Sequence, residues 1–170
     1  QYDYWALGHI HRREVLSTDP PIVFCGNLQG RHIGECGAKS CTLVTVDDAH
    51  RPRLEERHVD VARWALGAID AADAATRADV LDRVRGETGR LLAKADGRPL
   101  AVRVAIRGAC PAHREIAGMP RRWTADVRAA VIEASGGAAW LEKVVTQTRP
   151  LHTHPPTEEA AGPLAALTRQ

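Results

Sequence analysis

The sequence predicts an α+β fold, and three observations support that class. Short apolar runs that end in glycine recur through the first 48 residues, which is typical of strands joined by loops. Two segments with apolar residues at helical spacing follow, and segments that alternate apolar and polar residues separate them. With 170 residues, of which 44% are hydrophobic and 26% charged, the chain can form one domain and part of another.

The first 48 residues predict the order strand, loop, strand, loop, strand. Residues 4–8 (YWALG) and 22–26 (IVFCG) are short β-rich runs, each closed by a glycine. TDPP at 18–21 predicts a turn between them. Residues 27–40 form a long loop with three glycines, and residues 41–48 (CTLVTVDD) alternate as a strand does before a turn.

Residues 54–61 (LEERHVDV) can form a further strand. Thr76 followed by Asp79 resembles a capping box, and it predicts a helix whose segment Gly97 closes. Residues 100–108 alternate strictly, with apolar side chains on one face and arginines on the other.

Thr124 is predicted to cap a second helix that stops at Gly136. Residues 138–148 then form the last strand. The resulting order β-α-β-α-β, over about 95 residues, predicts a small α/β module. The sequence therefore divides into residues 1–50, residues 51–149 and a flexible Pro-rich tail at 150–170.

The positive charge is concentrated in the middle of the chain. Residues 51–150 contain 18 Lys and Arg against 13 Asp and Glu, although the net charge of the whole chain is only +2. Three of the 23 basic residues are lysines, and arginine suits bidentate contacts with phosphate. A coding bias toward Arg and Ala explains the composition equally well, so composition alone leaves the partner open.

His9 and His11 carry the strongest chemical signal. On an extended segment, side chains at i and i+2 point to the same face, so the two imidazoles can converge on one metal or on two adjacent ones. Manganese, iron, zinc and nickel all accept imidazole ligands. The alternative is a pair of surface or hydrogen-bonded histidines. A metal held by Cys36 and Cys41 with His32 is a weaker alternative, because the cysteine spacings match no common zinc module.

The motifs around these histidines resemble the calcineurin-like metallophosphoesterases, and within them the SbcD-like DNA repair exonucleases, including YhaO-type proteins. Their last metal motif is Gly-His-X-His after a core strand, here residues 8–11. A Gly-Asn-Leu-Gln-Gly-Arg loop follows at residues 26–31, then a Gly-rich turn at 34–37 and a strand that ends in Val-Asp. Residues 2–48 carry this resemblance, whereas residues 51–149 match a capping domain only by order and size.

The resemblance implies a phosphodiesterase that uses two divalent metal ions, usually Mn²⁺. His9 and His11 would each serve one metal, and residues 1–50 would be the C-terminal part of the nuclease core, the last strands of its β-sandwich. Arg31, which ends the Gly-Asn-Leu-Gln-Gly-Arg loop, and His32 after it can approach a DNA backbone, although pairing with a carboxylate is an equally good explanation. DNA and an SMC-like ATPase are the partners that the resemblance implies.

The departures from the family pattern are as informative as the matches. The family also needs an Asp-X-His near its start, a bridging Asp, a Gly-Asn-His-Asp and a further histidine. No Gly-Asn-His-Asp string occurs in this sequence, and no Asp-X-His precedes the Gly-His-Ile-His motif. We therefore expect a C-terminal fragment of a cytoplasmic, metal-dependent DNA exonuclease that is inactive alone. A phosphoesterase acting on nucleotides or other phosphoesters, and a non-catalytic module that binds DNA or a protein partner, are the two alternatives. No apolar run long enough to span a membrane occurs in the sequence.

Overall fold

The computed structural model describes residues 2–151, which fold into eight strands in three sheets and three α-helices, a mixed α+β structure. The strands are β1 Trp5–Leu7, β2 Glu14–Thr18, β3 Pro21–Phe24, β4 Ser40–Val46, β5 Pro52–His58, β6 Arg63–Asp70, β7 Leu100–Ala109 and β8 Ala139–Arg149. The helices are α1 Arg77–Leu92, α2 His113–Gly118 and α3 Pro120–Ser135. Residues 152–170, most of the predicted tail, lie outside the described residues.

The first two sheets confirm the strands predicted near the start of the chain. β1 pairs with β3 in parallel, and β2 pairs with β3 antiparallel across the predicted turn at 18–21. β4 and β5 form an antiparallel hairpin. The sequence did not predict β2, because its adjacent apolar residues Val15 and Leu16 are both exposed and no alternation marks it as a strand.

The third sheet has the order β6-β7-β8 with all strands parallel, and α1 and α3 cover one of its faces. The predicted order β-α-β-α-β is therefore confirmed, but the assignment of its first strand to residues 54–61 was wrong. Most of that segment is β5, the partner of β4, and β6 opens the α/β unit instead. β6 escaped prediction because a buried arginine, Arg63, begins it and a buried glycine, Gly67, interrupts its pattern.

The predicted division at residues 50 and 51 falls in the turn of the β4–β5 hairpin. Every residue of β4 has a partner in β5, so strand pairing crosses this position. The stretch between β5 and β6 separates the hairpin from the parallel sheet. The domain limits themselves stay a prediction.

The helix ends test three sequence-based assignments. Thr76 and Asp79 form the complete capping box at the start of α1. Gly136 ends α3 with a left-handed φ of 57°, as predicted for a C-terminal glycine. The cap at Thr124 was wrong: α3 begins at Pro120, a favoured first residue, and the Thr124 hydroxyl donates to the Pro120 carbonyl inside the helix.

The buried hydrophobic residues lie almost entirely in the α/β unit. The core cluster contains side chains from residues 69–141, whereas Val23 is the one fully buried hydrophobic residue described before residue 60. Several large apolar side chains on the first two sheets and their loops are exposed: Tyr2, Trp5, Ile10, Val15, Leu16, Leu28, Leu43 and Val46. None of the helices described within residues 2–151 is long and apolar enough to cross a membrane.

Residues 26–37, which we call the motif loop, dock onto the start of the α/β unit through polar contacts. The Gln29 side chain donates to the Ala62 carbonyl at 2.7 Å and accepts from the Val61 backbone N–H at 2.9 Å. The Trp64 indole N–H donates to the Gly30 carbonyl at 3.0 Å, and the Gly37 N–H donates to the Trp64 carbonyl at 3.0 Å. The loop is therefore held at Gln29, Gly30 and Gly37 against the start of β6.

Replacing Thr76 by alanine should lower the free energy of unfolding by about 1 kcal/mol, because Asp79 N–H loses the side-chain oxygen that caps it. Thr124→Ala is the matched control and should change stability by less than about 0.5 kcal/mol, because an interior hydroxyl bonded to the preceding turn adds little. Urea unfolding of both variants measures the difference. Equal losses would contradict the assignment of the two helix starts.

Gly30→Ala should destabilise the docked motif loop by about 1–3 kcal/mol. A Cβ at Gly30 would lie 2.8 Å from the Glu35 carbonyl oxygen and 3.1 Å from a ring carbon of Trp64, and both neighbours are held in place. At Gly34 a Cβ would meet only the exposed ring of His32, which can turn away. Thermal unfolding should therefore show a clearly larger loss for Gly30→Ala than for the control Gly34→Ala, and the reverse order would refute the docking argument.

Candidate metal centre

The Gly-His-Ile-His motif lies in a tight turn after β1. The Ile10 backbone N–H donates to the Gly8 carbonyl at 3.0 Å, and His9 between them has a φ of 75°. A bond from residue i+2 to residue i around a positive φ defines a strained three-residue turn, and such strain in a non-glycine residue is typical of functional sites. The extended backbone assumed for His9 and His11 was therefore wrong, because the chain reverses at the motif.

His11 is fixed by a buried carboxylate. Its Nδ1 lies 2.6 Å from Oε1 of Glu35, whose side chain is only 8% exposed, while the His11 side chain is 51% exposed. The other carboxylate oxygen accepts from the Asn27 amide at 3.0 Å and from the Arg31 backbone N–H at 2.8 Å. The motif turn and the motif loop therefore meet at Glu35.

These hydrogen bonds keep Glu35 ionised. The bond from the Arg31 backbone N–H, followed by the bond from His11, lowers the pKa of Glu35 to about 2, although burial opposes this shift. The nearby His32 ring lowers the pKa further. An ionised carboxylate only accepts hydrogen bonds, so Glu35 is a suitable partner for an imidazole nitrogen that carries a proton.

The contact between His11 and Glu35 within the described residues is suited to a histidine that binds a metal ion. Metal-bound histidines commonly donate their second ring N–H to a carboxylate, which orients the ring and fixes its tautomer. His11 has that partner in Glu35, and about half of its side chain is exposed. Between residues 2 and 151, however, no group of three or more His, Cys, Asp and Glu side chains converges on one point. His9 and His11 can thus supply part of a ligand set.

The two candidate phosphate contacts, Arg31 and His32, are both exposed. No acidic side chain within the described part of the chain pairs with the Arg31 guanidinium, whose backbone N–H instead binds Glu35. The His32 ring accepts from Gly34 N–H at 3.1 Å, and its Nε2 lies 3.6 Å from Glu35. Their predicted role in binding DNA stays a prediction.

A small cavity of about 190 Å³ lies beside His11 and carries cationic side chains that the sequence did not single out. Arg12, Arg13 and Lys39 line it together with the polar Ser40 and Glu56. Arg13 faces Glu56 at 3.6 Å, and Ser40 donates to the same carboxylate at 2.8 Å. The position of Arg12 and Arg13 directly after the histidine motif was the available signal.

Glu35 is the residue of the candidate site that sequence reasoning missed. It is the single acidic residue of the long loop at 27–40, and a lone carboxylate among glycines was the clue. Cys36 is exposed and Cys41 is half-buried, and all four cysteines are free. With no three-ligand group among the described residues, the alternative site of Cys36, Cys41 and His32 gains no support.

The tryptophans serve mainly as anchors. Trp123 is 3% exposed and donates its indole N–H to Thr146, and Trp64 binds the motif loop. Trp140 is 47% exposed on the sheet. Trp123 and Trp64 therefore have structural roles within the described part of the chain.

Comparison with known proteins places the chain in a family. Residues 64–149, from β6 to the end of β8, match the family described as the middle domain of metallophosphoesterase YhaO. An uncharacterised metallophosphoesterase, YhaO of Bacillus subtilis (strain 168), is 38% identical over 110 residues, which cover 64% of this chain and 26% of the relative. The chain thus spans about a quarter of that relative's length. It belongs to the metallophosphoesterase family that carries the YhaO middle domain.

Proposed function

We propose that this chain is part of a DNA exonuclease that hydrolyses phosphodiesters with divalent metal ions. The observation that carries the proposal is the motif turn, in which Glu35 contacts His11 Nδ1 at 2.6 Å while half of the His11 side chain stays exposed. Members of the family generally use divalent metals, and this motif resembles the last metal motif of the SbcD-like exonucleases. The identity of the ions as two Mn²⁺, a cytoplasmic location and an SMC-like ATPase partner extend the proposal by that resemblance.

The chemistry divides between the metals and this chain. When bound, the metal ions would polarise the phosphate and activate the attacking water. His9 and His11 would hold them, and Glu35 would keep the His11 ring in one orientation. The cationic side chains of the adjacent cavity, Arg12 and Lys39, stabilise negative charge on a phosphodiester placed there.

The small number of buried hydrophobic residues before residue 60 supports a larger core around this site. The first two sheets bury Val23 fully and expose Trp5, Leu16 and Leu43, so their apolar faces are suited to packing against further strands. This is what the last strands of a metallophosphoesterase β-sandwich need. It also agrees with a set of metal ligands that is incomplete in the described residues.

A basic surface on α2 and α3 suits the DNA backbone. Four exposed arginines, which we call the α2–α3 arginines, form no ion pair within residues 2–151: Arg114, Arg121, Arg122 and Arg128. The acidic residues of α3 are already engaged, because Asp126 pairs with Arg77 and Glu133 pairs with Arg85 of α1. The remaining positive charge therefore faces solvent and can contact phosphates without reading sequence.

One observation favours a non-catalytic role for the α/β unit considered alone. Its core is complete within residues 69–141, so this part can serve as a module that binds DNA or a protein partner. A phosphoesterase acting on nucleotides is the remaining alternative. Measurements of hydrolysis and of DNA binding separate these possibilities.

In the full-length protein that carries this chain, His11→Ala should lower Mn²⁺-dependent hydrolysis of linear duplex DNA by more than about 100-fold. Loss of a residue that only orients a metal ligand costs up to about 100-fold, and loss of the ligand itself should cost more. His58→Ala removes an exposed histidine of β5 and is the control, with unchanged turnover expected. The 170-residue chain alone should hydrolyse no DNA. Unchanged turnover in His11→Ala, or activity of the chain alone, would contradict the proposal, and hydrolysis of nucleotides without DNA would favour the nucleotide alternative.

The double variant Arg121→Glu/Arg128→Glu should weaken DNA binding and its dependence on salt. These residues lie two turns apart on one stripe of α3, and removing one phosphate contact lowers the slope of log K against log salt by about 0.9. Arg51→Glu/Arg53→Glu makes the same charge change at the β4–β5 hairpin, where both arginines already face carboxylates. Fluorescence anisotropy at several salt concentrations measures both. Equal weakening by the two variants would refute a specific role of α3.

A further inference from the structure

We propose that Glu35 is a positioning residue that fixes the His11 ring in the Nδ1–H tautomer and thereby prepares Nε2 as a metal ligand. The inference rests on the proposed function for its purpose, but the tautomer itself is a property of the metal-free chain. It assigns a role to the motif loop that neither the motif histidines nor the family relation specifies. The geometry around both carboxylate oxygens carries it.

The carboxylate of Glu35 has its two oxygens in different surroundings. Oε2 accepts from the Arg31 backbone N–H at 2.8 Å and from the Asn27 amide at 3.0 Å. Oε1 faces His11 Nδ1 at 2.6 Å. A glutamate in the ordinary pH range accepts hydrogen bonds and donates none, so the nitrogen that faces it must carry a proton. The neutral imidazole then has its lone pair on Nε2.

The direction of the Arg31 bond makes the arrangement rigid. A backbone N–H cannot exchange its donor for an acceptor, so the atom at the Oε2 position always needs to be an oxygen. The Asn27 amide is fixed in the same sense, because its nitrogen also donates to the Gln29 carbonyl at 3.0 Å. With 8% of the side chain exposed, Glu35 has little access to water that could replace these donors. The Arg31 and Asn27 donors therefore fix the Glu35 carboxylate, and the carboxylate in turn fixes the His11 ring.

The same geometry predicts what Glu35→Gln would do. The glutamine carbonyl oxygen must take the place of Oε2, since both Arg31 N–H and Asn27 point there. Its NH₂ group then faces His11 Nδ1 and donates to it, so Nδ1 becomes the acceptor and the ring proton moves to Nε2. An isosteric substitution thus reverses the tautomer and puts a proton on the nitrogen meant for the metal.

The test is nitrogen NMR on the metal-free chain labelled with ¹⁵N-histidine, at a pH well above the ordinary histidine pKa of about 6.5. His11→Ala identifies the His11 signals. The expected result is a protonated Nδ1 in the wild type and a protonated Nε2 in Glu35→Gln. Glu56→Gln removes a nearby carboxylate that does not touch His11 and should leave the tautomer unchanged.

Metal affinity provides the second readout, measured by titrating Mn²⁺ into the full-length protein. Glu35→Gln should weaken binding by about 10–100-fold, as is usual when the partner of a ligating histidine is lost. A wild-type ring protonated on Nε2 overturns the proposal even if Glu35→Gln does not fold. So does a folded Glu35→Gln protein with the wild-type tautomer or with wild-type Mn²⁺ affinity. If the full-length protein hydrolyses no DNA, the exonuclease proposal fails, but the tautomer measured on the metal-free chain is unaffected. The two proposals can therefore fail separately.

Discussion

The arrangement of the candidate site depends on one buried carboxylate. A buried charge is stable only when several donors satisfy it, and Glu35 obtains these from His11, Asn27 and the Arg31 backbone. The three donors come from the turn after β1 and from two points of the motif loop. Satisfying the carboxylate therefore closes the loop and orients the histidine at once. Either feature without the other would leave a buried charge short of donors.

Other residues of the motif loop bind the α/β unit. Gln29 binds the backbone just before β6, and Gly30 accepts the indole N–H of Trp64. Between these contacts and Glu35 there are only a few residues of chain, so little freedom remains in the loop. The surface of α3 that we propose for DNA is thus connected to His11 through packed strands and fixed hydrogen bonds.

Most of the helices and strands could be predicted from the sequence because interactions between neighbouring residues determine them. The capping box at Thr76 and the left-handed Gly136 depend on neighbouring residues alone, and both were confirmed. The burial of Arg63 at the start of β6 depends on a residue distant in the sequence instead. Arg63 is buried because it binds Asp60 at 2.7 Å and Asp96 at 2.8 Å. Without knowledge of these partners, a charged residue at this position indicates a loop.

In the candidate site too, the residues recognised from a local motif differ from those placed by contacts between distant parts of the chain. The Gly-His-X-His motif identified His11, because its spacing is local, but the role of Glu35 depends on a contact across 24 residues. The first two sheets bury little apolar surface of their own, with Val23 as the one fully buried hydrophobic residue described there. Hydrophobic packing inside this chain therefore does not by itself explain the position of the motif turn. Directional hydrogen bonds to an ionised carboxylate do so, since each constrains both distance and angle. A site held in this way can keep its geometry at the margin of a core, where the neighbouring apolar faces are suited to contact with another part of a larger protein.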